Sequence, residues 1–191
     1  IMQQALEYAD KALNLCDNYE YFEEKPYILN LIGMINLEYL NLELALFNFT
    51  EAIKFFTLSN NHYQSTICKH NIAMIYFKKS DYSQALKYYY EVLSEFDKHN
   101  DKKLLAQTKN NIAVSYHVQS EYQQAIYWYL EAISIYRAYN IRSELGIAFG
   151  NLASVYRDMS NYEKALVTYQ DAIEVFEDLD MRSALAQCYG N

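Results

Sequence analysis

The chain has 191 residues, a formal net charge of −8, a hydrophobic share of 52% and 21 tyrosines, but only 4 glycines and 1 proline. So few turn formers exclude an all-β architecture and favour long helices. A negative chain without a run of Lys and Arg offers phosphates no footprint, which argues against nucleic acid as partner. The longest apolar region, residues 27–49, is broken by Asn30, Asn36, Glu38, Asn41 and Glu43, so no membrane insertion is expected. Cys16, Cys68 and Cys188 are odd in number and widely spaced. They read as free buried thiols in a reducing, cytoplasmic compartment.

In chain order the same unit returns every 40 residues. Ala5, Ala45, Ala85, Ala125 and Ala165 each open an Ala-Leu or Ala-Ile pair, and a second small position recurs at Gly33, Ala73, Ala113 and Ala153. A fixed period of this size marks a solenoid, in which each unit buries its apolar face against its neighbours. Residues 1–20 read as the second helix of a partial unit. Full units follow at 24–60, 61–100, 101–140 and 141–180, and 181–191 starts another. Within 61–100, Ile72, Ile75, Tyr76 and Lys79 form one helical stripe, and Tyr82, Ala85, Leu86, Tyr89 and Val92 a second. Short turns are expected at Ser80-Asp81, Ser120-Glu121 and Ser160-Asn161, with longer joints at Asn60, Asn100, Asn140 and Asp180. Asp81 and Asn161 suit helix N-caps, and Gln84 completes the spacing of a capping box with Asp81.

These positions resemble the tetratricopeptide repeat (TPR) family. The small, aromatic and alanine positions match at Ala73, Tyr76, Ala85, Tyr89 and Val92, at Ala113, Tyr116, Ala125, Tyr129 and Ala132, and at Ala153, Tyr156, Ala165, Tyr169 and Ala172. The unit around Gly33, Ala45, Phe49 and Ala52 departs by carrying Asn36 at the aromatic position. The proline usual near the end of the second helix is replaced by Thr57, Asp97, Arg137 and Glu177, and the period is 40 rather than 34. Six extra residues lengthen each helix by nearly one turn. The resemblance implies an all-α fold, a right-handed α-α superhelix of helix-turn-helix repeats with a concave groove lined by first helices. Similar long repeats occur in kinesin light chains, Gα-binding polarity adaptors, bacterial peptide receptors and sensor segments of signalling enzymes.

The recurring polar feature is an asparagine ladder, Asn71, Asn111, Asn151 and Asn191, two residues before each small position. Asparagine inside a helix costs roughly 0.5–0.7 kcal/mol relative to alanine. On the groove side its amide can donate to and accept from the main chain of an extended peptide. The alternative is that the amides bridge adjacent first helices, or simply persist from duplication. Around them on the same face lie His70, Met74, Phe77 and Lys78, then Asn110, Val114 and His117, then Gly150, Ser154, Arg157 and Asp158. Lys78 and Arg157 are too few for a terminal-carboxylate clamp. The tyrosines at 76, 82 and 89 and at their equivalents 40 and 80 residues on are expected in the core. Trp128 is expected to pack, with a partner anchor as the alternative.

No His pair stands at i, i+4 and no Cys-x-x-Cys exists, so neither metal nor cofactor is expected. No phosphate loop, nucleophile elbow or paired acid and base is present, and no catalytic residue is assigned. The reading is a scaffold that binds a protein or peptide within a regulatory or signalling protein. The alternative is the input region of a larger signalling enzyme or of a peptide-responsive transcription regulator. The chain opens with Ile1 before Met2 and stops at Asn191 in phase with Asn151. This suggests a fragment whose apolar half-repeats allow end-to-end self-association.

Overall fold

The computed structural model describes residues 2–19 and 23–190, with side chains from residue 4 to 18 and from 23 to 190; Asn191 lies outside the described residues. Among these residues the structure is helical throughout: α1 (Met2–Tyr19), α2 (Lys25–Glu38), α3 (Leu42–Leu58), α4 (His62–Lys78), α5 (Tyr82–Lys98), α6 (Lys102–Val118), α7 (Tyr122–Ala138), α8 (Arg142–Asp158), α9 (Tyr162–Asp178) and α10 (Arg182–Gly190). The chain divides into two compact units, Ile1–Glu95 and Phe96–Asn191, with the boundary inside α5.

What sets the period is the joint. One residue in the left-handed region follows each of α2 to α9, at Leu40, Asn60, Ser80, Asn100, Ser120, Asn140, Ser160 and Asp180, a spacing of 20. At each, the N–H of that residue donates to the carbonyl three back, as Ser80 does to Phe77 at 2.9 Å. The next N–H reaches the carbonyl five back, as Asp81 does to Tyr76 at 2.9 Å. This is the Schellman arrangement, which satisfies carbonyls otherwise orphaned at a helix end. The residue that closes one helix also opens the next. Asn61, Asp81, Asp101 and Asn161 accept side-chain cap bonds from the N–H of Gln64, Gln84, Leu104 and Lys164 at 3.0–3.3 Å.

Two expectations change here. The joints at Asn60, Asn100, Asn140 and Asp180 are no longer than those at Ser80, Ser120 and Ser160, because the left-handed turn is the same three-residue device at both. The capping box at Asp81 is half formed: Gln84 donates its N–H, but the N–H of Asp81 is already committed to Tyr76. Lys79 likewise leaves the apolar stripe, standing at the C-cap of α4 and pairing with Glu43 at 2.6 Å.

In the first unit the core is built from Leu29, Leu37, Ala45, Phe49, Ala52, Phe56, Cys68, Ile72 and Ile75. In the second it is built around Ala113, Ala125, Tyr129, Tyr136, Ala148, Ala153, Ala165, Tyr169 and Phe176. Small residues from one helix receive rings from the next, and each fully buried ring contributes about 1.5–3 kcal/mol. Gly33 and Gly146 are the extreme cases: a Cβ on either would sit 2.8 Å and 2.6 Å from the rings of Phe49 and Phe176. Asn36 is accommodated by local bonds, donating to the Ile32 carbonyl at 2.9 Å and accepting from Asn41 at 3.2 Å. The tyrosine stripe is not uniformly core. Tyr89 and Tyr129 are buried, Tyr76, Tyr116 and Tyr156 half-buried, and Tyr162 is exposed.

Substitutions check both devices. The left-handed region costs an L-residue about 1–2 kcal/mol, and glycine's flexibility costs about 0.5–1 kcal/mol. Leu40→Gly, at an exposed site, therefore raises stability by about 0.5–1 kcal/mol in urea unfolding. Gly146→Ala meets the Phe176 ring, where overpacking costs about 1–3 kcal/mol. It loses about 1 kcal/mol net of improved helix propensity, read as a lower denaturation midpoint.

Candidate functional site

Helices α2, α4, α6, α8 and α10 are first helices of their pairs. Within the second unit α6 and α8 approach each other directly, as α2 and α4 do in the first, while α7 and α9 do not come comparably close. In a curved stack the side on which successive helices converge is the inner side. On α6 the residues of this side are Gln107, Asn110, Asn111, Val114 and His117, of which Val114 also packs against the core and Asn110 keeps its Oδ1 buried. On α8 they are Ile147, Gly150, Asn151, Ser154 and Arg157, all half-buried or exposed. The sequence-derived residues Asn111, Asn151, Asn110, Val114, Ser154, His117 and Arg157 therefore share one face of the second unit. Asn71 and Met74, half-buried, and Lys78, exposed, occupy the matching face of α4 in the first unit.

The amides of Asn71, Asn111 and Asn151 make no side-chain hydrogen bond with any described residue. Between α6 and α8 the asparagines thus form no bridge to one another. Asn110 is set differently: its Oδ1 is fully buried with no hydrogen-bond partner among the described residues. An unsatisfied buried acceptor costs about 1–3 kcal/mol.

The helix ends on this face do carry a bridge. His117 Nε2 lies 2.9 Å from Asp158 Oδ2, and the Arg157 guanidinium donates to Asp158 Oδ1 at 3.1 and 3.2 Å. Burial pushes the Asp158 carboxyl up, but its hydrogen bonds from His117 and Arg157 outweigh that and hold it below the usual range. Arg157 is thereby partly neutralised.

His70 departs from the expected groove position. It is buried in the first unit, with its ring 5.6 Å from that of Tyr89 in an edge-on contact. Burial lowers its pKa from 6.5 to about 4. The cause is the ring brought by α5, which no spacing within α4 reveals. The folded state therefore binds fewer protons than the unfolded chain between pH 6.5 and 4. Stability is full above pH 6.5 and falls as pH drops toward 4, by up to about 3 kcal/mol from this group. Urea titrations across that window show this part of the slope in the wild type and not in His70→Asn.

Of two further features of the face, Gly150 was placed there by sequence reasoning without a role, and Ile147 was not named. Ile147 is 46% exposed, one turn before Asn151. Apart from its chain neighbours and the helix's own backbone, Gly150 has no atom within 4 Å of where a Cβ would stand, and its φ is not positive. Neither a close packing partner nor a special backbone requires glycine there, although glycine inside a helix costs about 1 kcal/mol relative to alanine. Its signal was a second glycine, one turn after Gly146, in a glycine-poor chain.

Cys68 is buried and donates to Asn30 Oδ1 at 3.4 Å, with its thiol pushed up to about 12 by burial. Trp128 is half-buried, beneath the Lys109 ammonium at 6.0 Å and edge-on to Tyr127 at 5.2 Å, as expected of a packing residue. Among the described residues no group of three potential metal ligands is found, and no helix is long and apolar enough to cross a membrane.

The tetratricopeptide repeat model matches residues 65–138 and 104–178, together more than half of the chain. The chain belongs to the tetratricopeptide repeat family. No curated protein matches it. Among solved structures, aspartyl phosphate phosphatase F from Bacillus subtilis is similar at TM-score 0.92 and 15% identity, covering 98% of this chain and 51% of its own. NprR in complex with its cognate peptide NprX is similar at TM-score 0.78 and 21% identity, covering 98% and 54%. Bacillus thuringiensis PlcR, in complex with the peptide PapR7 and DNA, is similar at TM-score 0.77 and 17% identity, covering 100% and 70%. At these identities the likeness concerns the TPR fold, and this TPR chain spans about half the length of the first two.

Proposed function

We propose that this TPR chain binds an extended peptide, or an extended segment of a partner protein, on the inner face of its first helices. The observation that carries the reading is the pair Asn111 and Asn151 in the second unit. Both are half-buried amides on converging helices, and no described residue satisfies either. Packed helices lie about 8–10 Å apart, and an extended chain advances about 3.3 Å per residue. Successive amides therefore meet main-chain groups about three residues apart. An amide both donates and accepts, so it can pair with a peptide unit without selecting its side chain. Asn71 holds the equivalent position on α4, also half-buried, and is assigned the same role in the first unit. Val114, Met74, Ser154 and the His117–Asp158 pair supply the side-chain contacts.

Support for a peptide, rather than another ligand, comes also from the peptide complexes of the similar NprR and PlcR structures. A place in signalling or regulation belongs to the same proposal, as does binding in place of catalysis. On the face, His117 and Arg157 are both engaged by Asp158, and the Cys68 thiol is held protonated. Three buried free thiols support a cytoplasmic setting.

The test is an array of acetylated, amidated heptapeptides probed with the wild type, Asn111→Ala and Asn151→Ala. Losing one amide contact weakens binding about 3- to 10-fold. Alanine's better helix propensity leaves thermal stability unchanged or slightly raised. Undiminished affinity in both variants would rule out the ladder as the peptide contact.

A further inference from the structure

The asparagine ladder stops short in the first unit. Position 31 on α2 belongs to the column of Asn71, Asn111 and Asn151, yet it carries Leu31. Its neighbours are apolar as well: Tyr27 and Met34 stand on α2 where Gln107 and Val114 stand on α6. Tyr27, Leu31 and Met34 are 48%, 50% and 49% exposed, and their i, i+4, i+7 spacing puts them on one stripe of the helix. On α4, which approaches α2 directly, Ile67 and Met74 hold the matching places beside Asn71. A contiguous apolar strip left facing water marks a surface with a partner.

The strip has a walled end. Tyr27 also lines a cavity of about 660 Å³, whose other apolar walls are Pro26, Phe55, Phe56 and Leu58. The Tyr27 ring stands edge-on to Phe56 at 5.0 Å. Polar groups lining the cavity are engaged within the chain. Asn61 donates to the Tyr27 hydroxyl at 3.1 Å and accepts the Gln64 N–H at 3.3 Å, and Ser59 Oγ donates to the Phe55 and Phe56 carbonyls at 3.1 and 3.2 Å. Glu23 is the one charged side chain among the lining residues. Such walls reward an apolar occupant, because a polar one gives up water for few new partners.

Resting on the peptide reading above, we infer that the strip of Tyr27, Leu31 and Met34, together with the cavity that Tyr27 lines, binds large apolar side chains of the peptide. Continuity with the ladder names this occupant: Asn71 on the adjoining helix holds main chain, and α2, where the amide gives way to Leu31, takes the side chains that follow. The ladder tolerates any sequence, while this strip discriminates among residues. Burying one large apolar side chain strengthens binding about 10-fold or more.

The experiment uses the same heptapeptide array, with each position varied in turn, against the wild type, Leu31→Asn and Leu58→Lys. Each variant installs the residue found one repeat further on, at Asn71 and Lys98. Leu31 is half exposed and Leu58 is at the open rim, 81% exposed, so both variants keep the wild-type helix content. The wild type prefers leucine, methionine or phenylalanine at one or two positions. Both variants bind those peptides about 10-fold more weakly, and bind peptides with serine there as the wild type does. If either variant keeps the wild-type affinity and preference, the subsite is overturned, while weaker binding by Asn111→Ala still upholds the peptide reading. If sedimentation shows a self-associating wild type and monomeric variants with unchanged peptide affinity, a second copy covers the strip and the subsite is again overturned. If no peptide binds the wild type, both readings fall.

Discussion

A helix that ends must satisfy its last carbonyls, and a helix that begins must satisfy its first N–H groups. In this TPR chain a joint of three residues does both. The left-handed residue turns the chain so that two N–H groups fold back onto the helix just finished, and at Asn61, Asp81, Asp101 and Asn161 the side chain of the residue after it caps the helix about to start. Because the same joint recurs after every helix from α2 to α9, helix length is not free. From α3 to α9 each helix is 17 residues, and 17 with 3 makes 20. Two such halves give the 40-residue period, which keeps each apolar stripe in phase with the ring or alanine it meets on the next helix. Core packing thus depends on backbone hydrogen bonds at the joints as much as on the side chains that fill it.

The face proposed to bind peptide is built against the grain of helix stability. Asparagine at 71, 111 and 151, and glycine at 150, are each worse than alanine in a helix interior. Nothing in the core of either unit asks for them. The buried faces of the same helices show the opposite economy, with alanine at 73, 113 and 153 fully enclosed and rings seated against small residues. Where a residue lowers helix stability and has no packing reason to be present, its reason is sought outside the chain. The same test sorts the two glycines of α8, since Gly146 is required by Phe176 and Gly150 by nothing in the described residues.

Much of this was legible in the residues alone, because a period of 40 is carried by many positions at once. Alanine columns, aromatic columns and asparagine columns all give the same spacing, so paired helices follow without any single position being decisive. The equality of the joints was hidden, since Leu40, Asn60, Ser80 and Asp180 share a conformation but not a residue type. The fate of individual columns was hidden too. The following helix brings an equivalent tyrosine to both, Tyr89 and Tyr169, yet His70 is buried against its ring while Gly150, with no side chain, leaves open space. Tyr162 is exposed although Tyr82 and Tyr122 are half-buried, a difference set by neighbours rather than by phase along α9. Periodicity locates a face; the occupant of the opposite helix decides how deep each residue lies.

The shared geometry of the joints has a consequence for how such a chain changes over time. Each junction is chemically self-contained: its backbone bonds join residues no more than five apart. A block excised or duplicated between two equivalent junctions leaves every remaining cap intact. Gain or loss of one residue inside a helix has no such escape, because it rotates everything beyond it by about 100° and turns the buried stripe toward water. Lineages of this architecture are therefore expected to vary in the number of modules rather than in the length of any one.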